Sequence, residues 1–509
     1  MTLFRTPRRS VRLAAIGILA AGALVLTACT GSAEPGPTSG GKIDANATLT
    51  VGLVLEPDNL DIRHTSGAAL EQILVDNIYE GLVSRTQDNK VEDRLASSHE
   101  ISPDGLTYTF TLHDGITFHD GTALTSADVV ASYETVKTDA TVQGNTEFSG
   151  VASITAPDEK TVQIVLTKPD QDFLFNLTGP AGLVFKTGDT TDLKTAENGT
   201  GPFVLKHWTK GAAITFDRAE KYWGEKPKLS EVVFQYIPDF TAGVNAALDG
   251  SVDVLTAVDP NLVSQLKDTG DFTITTGQTT DKATLAFNNA EAPLNDKRVR
   301  EALRLAIDHK ALVEAVGAGQ TLYGPIPELD PGYEDLSKLV PYDPAKAKEL
   351  LKEAGKEKLD LTLTIPSFYG TTVAQVLVSD FAKVGVSLKV DRVEFPTWLD
   401  QVYKNHDYEL SFVLHVEPRD FGNWANPKYY FGYDNKQVQD LYAQSQAELD
   451  PAKSADLLKK AAKIVSEDDA ADWLYNGETL TALTAGIKGF PKDSINSRID
   501  LAGVTRTAG

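Results

Sequence analysis

The residues best placed to do chemistry fall in one stretch, His415-Val416-Glu417-Pro418-Arg419-Asp420-Phe421-Gly422-Asn423-Trp424. Arg419 can hold a carboxylate or phosphate through two parallel N–H···O bonds, a geometry lysine cannot reproduce, or it can be neutralised by Glu417 or Asp420 on the same loop. Trp398, Trp424, Tyr429 and Tyr430 flank the stretch. They can wall a ligand backbone or apolar side chain, the Tyr hydroxyls adding orientation, or they can pack a core. His415 and Glu417 offer two metal donors on one strand, and the sequence identifies no others, so a hydrogen-bonded histidine is expected and no metal.

Catalysis needs more than this. No His-Glu-x-x-His zinc motif and no Gly-x-Ser-x-Gly nucleophile elbow occurs. Gly36-Pro37-Thr38-Ser39-Gly40-Gly41-Lys42 nearly spells a phosphate loop, but Ile43 stands where a hydroxyl is required and the surroundings read as a linker. An enzyme is therefore not expected, nor a cofactor. A net charge of −23 sets nucleic acid aside as a partner, because phosphate backbones are met by concentrated basic surface.

Cys29 is the sole cysteine, which excludes disulfides and any multi-cysteine metal site. Arg5, Arg8, Arg9 and Arg12 precede the apolar run Leu13–Leu26, and Leu26-Thr27-Ala28-Cys29 follows. That order reads as a secretory signal over residues 1–28, with a run too short to span a bilayer permanently. Arg8-Arg9 leaves both general and twin-arginine export open. The Leu-Thr-Ala-Cys word resembles a bacterial lipobox, which implies that Cys29 carries a lipid and becomes the new N-terminus. Removing four Arg and no acidic residue takes the charge from −23 to −27. Residues 29–45, rich in Gly, Pro and Ser, read as a flexible tether.

The elements that must position the loop alternate between strand and helix. Thr48–Leu53 has period-two strand spacing; Leu70, Ile73, Leu74 and Ile78 share a helix face, with Gly81 as a C-cap. Thr107–Phe118 reads as a hairpin turning at Asp114-Gly115, and Thr125 with Asp128 has capping-box spacing before the next helix. Strands are expected at Thr161–Leu166, Phe203–Trp208 and Val232–Ile237. A helix follows Asp296, and another runs from Asp343 as cap through Pro344 to Gly355. Strand Leu359–Ile365, helix Val373–Val384 and strand Val386–Val393 form a β-α-β unit with a parallel strand pair.

Several ordered words give the chain a resemblance to the peptide/nickel/opine class of solute-binding proteins. They include Leu55-Glu56-Pro57-Asp58-Asn59-Leu60-Asp61, Ser102-Pro103-Asp104-Gly105-Leu106, Phe118-His119-Asp120-Gly121-Thr122, Gly199-Thr200-Gly201-Pro202-Phe203, Tyr222-Trp223-Gly224 and Leu294-Asn295-Asp296-Lys297-Arg298-Val299-Arg300-Glu301-Ala302. The resemblance implies an α/β, bilobal, periplasmic-binding-protein-like fold of the large class II type. Its first lobe would comprise residues 46–64, 186–281 and 479–503, with a subdomain inserted at 65–185, and its second lobe residues 282–478.

It further implies a monomer outside the cytoplasm, lipid-anchored to the membrane, that delivers a peptide or other small polar solute to the permease and ATPase of an ABC importer. A nickel or other metal chelate, an opine, or a signalling role without transport stand as alternatives. Peptide-binding members clamp the ligand amine with a carboxylate after a second-lobe strand. Glu417 lies nearest that position and Asp420 is the other candidate, although the aromatic residue that usually precedes the acid is absent. Glu56, Asp58 and Asn288 are further cleft candidates. His119 belongs to a shared turn word and reads as structural.

Overall fold

The computed structural model describes residues 42–507; the signal, Cys29 and most of the tether lie outside them. No helix among the described residues is long and apolar enough to cross a membrane. A ten-stranded sheet runs through both lobes. On the first-lobe side, Thr48–Leu53 lies parallel to Glu231–Tyr236 and Val254–Leu255, and the antiparallel strands Ala213–Arg218 and Phe203–Thr209 complete the edge. On the second-lobe side, Leu359–Pro366 lies parallel to both Val386–Val393 and Leu410–His415.

Two strands join the halves: Phe272–Phe287, of 16 residues, and Ala471–Thr484, of 14. At about 3.3 Å per residue the longer spans about 50 Å. Their antiparallel pairing is interrupted between Gln278 and Lys282. The amide of Asn476 spans the interruption, donating to the carbonyls of Thr279 at 3.0 Å and Asp281 at 2.8 Å.

Separate apolar cores fill the parts. Leu49, Val51, Phe216, Phe234 and Ile499 pack in the first lobe, and Phe110, Tyr133 and Ile164 in the inserted segment under its own four-stranded sheet. Leu285, Leu303, Leu351, Leu363 and Phe381 pack in the second lobe, beside an aromatic core containing Trp398, Trp424, Tyr430 and Trp473.

Local signals account for several boundaries. Thr125 and Asp128 form a reciprocal capping box ahead of helix Ser126–Thr138. Asp296 caps Lys297–Leu305, and Asp343 caps Pro344–Glu353 by accepting from the Lys346 N–H at 2.9 Å. Two expectations are corrected. Thr107–Leu112 does not fold back on Ile116–Phe118; it pairs with Ala96–Ile101 and Thr161–Leu166, because these supply longer ladders for its alternating face. The first helix covers Ala68–Leu74 and stops before the expected Gly81, since Val75 turns extended and Asp76 takes a φ of 63°. The carboxylate of Asp76 is held there by the Ser84 hydroxyl at 2.7 Å and by Arg498 at 3.2 Å.

Candidate functional site

The strand Leu410–His415 ends against the crossing strand, with Lys282 opposite His415 in register. The Lys282 ammonium is nearly sealed from solvent, at 2% exposure. It donates to the carbonyls of Thr280 at 3.0 Å and Glu417 at 2.9 Å and pairs with Asp420 at 3.2 Å. Burial pushes the Asp420 carboxyl up to about 6, while the Lys282 charge pulls it the other way. Burial first, and then the same ammonium, drive His415 down to about 3. Its imidazole is therefore neutral at pH 7, stacked on Tyr430 and bonded from Nε2 to the Tyr430 hydroxyl at 2.9 Å.

Beyond the strand the chain turns sharply. Arg419 takes the left-handed conformation, φ 54° and ψ 30°, at a cost of about 1 kcal/mol for a residue with a Cβ. Its N–H donates to Asp330 at 2.7 Å, and Asp330 also accepts from Asn89 of the inserted segment at 2.9 Å. Burial raises the Asp330 carboxyl. The Arg419 guanidinium reaches across the lobe boundary to Asp172 at 3.1 Å and lies 3.9 Å from the centre of the Phe175 ring. Gln446 donates to the other Asp172 oxygen at 2.9 Å. Asp172, Asp330, Arg419, Asp420, Phe421 and Tyr442 line a small pocket of about 90 Å³ at this boundary.

The hinge adds Asp281, whose two oxygens each accept from Asn496 at 2.9 Å and whose carboxyl burial raises to about 6. Glu417 is exposed on the second-lobe side. Glu71, on the helix Ala68–Leu74 of the facing lobe, is raised chiefly by burial, and the Glu417 charge contributes in the same direction. The site is thus a charged cleft: carboxylates on both lobes, with a sealed ammonium beneath.

Of the residues expected from the sequence, His415, Glu417, Arg419 and Asp420 meet at this cleft. The others are placed elsewhere. Glu56 accepts from the Trp208 indole at 3.0 Å and the Gly211 N–H at 2.9 Å, fastening the turn of the edge hairpin, and Asp58 is exposed near it, its carbonyl held by Lys210. Asn288 is buried and spends its amide on the carbonyls of His406 and Tyr408.

The aromatic wall is likewise corrected. Trp398 is buried with its indole on Ser411, and Trp424 stacks on Phe431 at 4.0 Å, because these large rings bury more apolar surface in the second-lobe core than a wet cleft would allow. Tyr430 is buried too, reaching the site only through its hydroxyl on His415. His119 bonds Glu197 and the Gly201 carbonyl within the first lobe.

Sequence reasoning missed Lys282, Asp330, Asp172 and Asp281. Lys282 had a signal, since the charged pair Asp281-Lys282 heads the mostly apolar stretch Ala283–Phe287. Asp330 reads as an ordinary turn residue before Pro331-Gly332, and nothing local marks Asp172. Donor atoms of His415, Glu417 and Asp420 lie within 4.8 Å of one another. Asp420, however, is already paired with Lys282, and a cation next to that ammonium would meet repulsion.

A two-lobed α/β protein whose lobes share one sheet and face each other across a charged cleft is built to enclose a solute. The comparisons agree. Residues 90–433 match the family model described as bacterial extracellular solute-binding proteins, family 5 Middle. The chain is 29% identical over 445 residues to heme-binding protein A of Haemophilus influenzae, covering 79% of this chain and 80% of that protein. It is 28% identical over 450 residues to the dipeptide-binding protein of Escherichia coli, covering 79% and 84%. The solved structure of the binding protein AgaA from A. tumefaciens R10, in complex with agropinic acid, superposes with a TM-score of 0.75 at 27% identity, covering 91% of this chain and 99% of that one. The chain belongs to the family 5 extracellular solute-binding proteins, a family of binding proteins rather than enzymes.

Proposed function

We propose that this chain is the capturing receptor of an ABC importer for short peptides, held at the outer face of the membrane by a lipid on Cys29. Family membership and relatives named for dipeptide and di/tripeptide binding support the receptor role. The observation that carries the peptide reading is Glu417, an exposed carboxylate with no ion pair among the described residues, at the end of a second-lobe strand and facing Glu71 across the cleft. Such a carboxylate suits a peptide's amino group, which loses its water when the lobes close and then needs a fixed charged partner. Lys282, Asp330 and Asp420 shape the floor beneath it, and Arg419 with Asp172 ties the lobes together.

Calorimetry with mixed dipeptides and tripeptides tests the reading. Binding is expected, and Glu417→Ala is expected to weaken it at least tenfold, the scale of one charge-assisted hydrogen bond. Unchanged affinity in that variant would remove Glu417 from the site, and no binding by any peptide would end the peptide reading. Replacement of Cys29 by Ser is expected to release the protein from the membrane fraction.

A further inference from the structure

The inserted segment and the second lobe touch away from the two strands that join the halves. On the loop after strand Thr161–Leu166, one Asp172 oxygen accepts from the Arg419 guanidinium at 3.1 Å and the other from the Gln446 amide at 2.9 Å. The Gln171 N–H donates to the Gln446 carbonyl at 3.1 Å. In the turn between strands Val83–Arg85 and Val91–Asp93, the Asn89 amide donates to Asp330 at 2.9 Å and to the Leu329 carbonyl at 3.3 Å. Gly105 lies so close to Leu449, between helices Lys436–Ala447 and Pro451–Glu467, that a Cβ there would overlap a leucine methyl.

The contacts support one another. Asp172 spends both oxygens on second-lobe donors, and the Phe175 ring lies under the same guanidinium at 3.9 Å. Asp330 connects the two polar patches, because its second oxygen takes the Arg419 N–H at 2.7 Å. Asn89 and Asp330 are both buried. Parting the lobes strips a part-buried ion pair and a buried amide–carboxylate bond of their partners together, which costs more than parting two wetted surfaces. Every partner in the set belongs to the protein.

We propose that Arg419–Asp172 and Asn89–Asp330 form a latch that holds the cleft mainly shut before a solute arrives, so that capture proceeds through a minor open state. Glu417 stands two residues before Arg419, so the loop that meets the solute also carries the latch. The latch weights the closed state whatever the solute and slows entry in proportion to the open fraction. It does not rest on the peptide reading, and its test needs no solute.

The test is the distance between spin labels on Glu100→Cys, in the inserted segment's sheet, and Lys460→Cys, on helix Pro451–Glu467, both positions being exposed. It is read by pulsed electron spin resonance in the full mature chain carrying Cys29→Ser, exhaustively dialysed at pH 8. A majority at the short distance of the shut cleft is expected. Arg419→Gln is expected to raise the fraction at long distance about fivefold, the scale of one part-buried ion pair. Asn89→Asp sets a second carboxylate against Asp330, keeps a residue type suited to a φ of 60°, and is expected to do the same. Asp172→Ala is expected to add little to Arg419→Gln, since both break one pair. A majority at long distance in the protein without latch substitutions overturns the latch and needs no further variant. Unchanged distances in Arg419→Gln and Asn89→Asp, or full additivity of Arg419→Gln and Asp172→Ala, overturn it as well.

Discussion

Lys282 sets the charge state of its neighbours. It stands opposite His415, pairs with Asp420 and caps two carbonyls, so its removal leaves Asp420 buried without a counter-charge. Lys282→Met is expected to destabilise the fold by about 3 kcal/mol in urea titrations at pH 8. The loss should shrink as pH falls, because without the ammonium the Asp420 carboxyl rises further above its value of about 6 and takes up a proton in the folded state. A deficit that stayed constant between pH 8 and pH 5 would contradict this account. At this scale the sequence revealed what is local. Glu417, Arg419 and Asp420 share a loop, and their clustering could be read directly. The partners that give them geometry, Lys282, Asp330 and Asp172, lie 89 to 247 positions away from Arg419 or Asp420 in the hydrogen bonds and ion pairs they make, and no spacing rule connects them. Trp398 and Trp424 were ambiguous for another reason: an aromatic side chain in isolation serves a core as well as a cleft.

At the level of elements, caps were the dependable signal. Asp343 accepts from Lys346, Pro344 fills the first helical position and Gly355 follows the last turn with a φ of 68°. Asp343→Ala is expected to cost about 1 kcal/mol, read as a lower urea midpoint at unchanged slope. A change in slope would point to something other than a lost cap. Strand pairing was less legible. Alternation correctly located Thr107–Leu112 and Thr161–Leu166, but periodicity identifies a strand's buried face and not its neighbour. Asp114-Gly115 looks like a hairpin turn, yet the segment after it forms only an isolated bridge from Thr117 to Ala123.

Across the whole molecule, buried acids dominate the dependence of stability on pH. Burial raises Asp281, Asp420 and Asp469 to about 6 and Glu147 to about 7. A raised carboxyl holds its proton more tightly when folded, so its contribution is greatest below the unfolded value and falls as pH rises through the folded one. His415, lowered to about 3, acts in the opposite sense, and its contribution shrinks below about pH 6.5. Four groups outweigh one. The melting temperature is therefore expected to rise as pH falls from 7.5 to 5.5, as measured by scanning calorimetry, and a steady decline over that range would contradict the balance. The two-lobed architecture was legible through family words. The single sheet joining the lobes was not, because it depends on Phe272–Phe287 finding Ala471–Thr484 some two hundred residues later.

That distance constrains the order of assembly. Val254–Leu255, paired with Thr48–Leu53 on one side, meets Leu483 and Ala482 on the other, and the crossing strand Phe272–Phe287 pairs along Ala471–Thr484. A chain made or exported from its N-terminus therefore keeps the edges of both halves unpaired until its last few dozen residues arrive. Non-local strand pairing of this kind is slow to form and leaves sticky edges meanwhile. The same delay suits passage across a membrane, since the chain cannot complete its fold before nearly all of it is available.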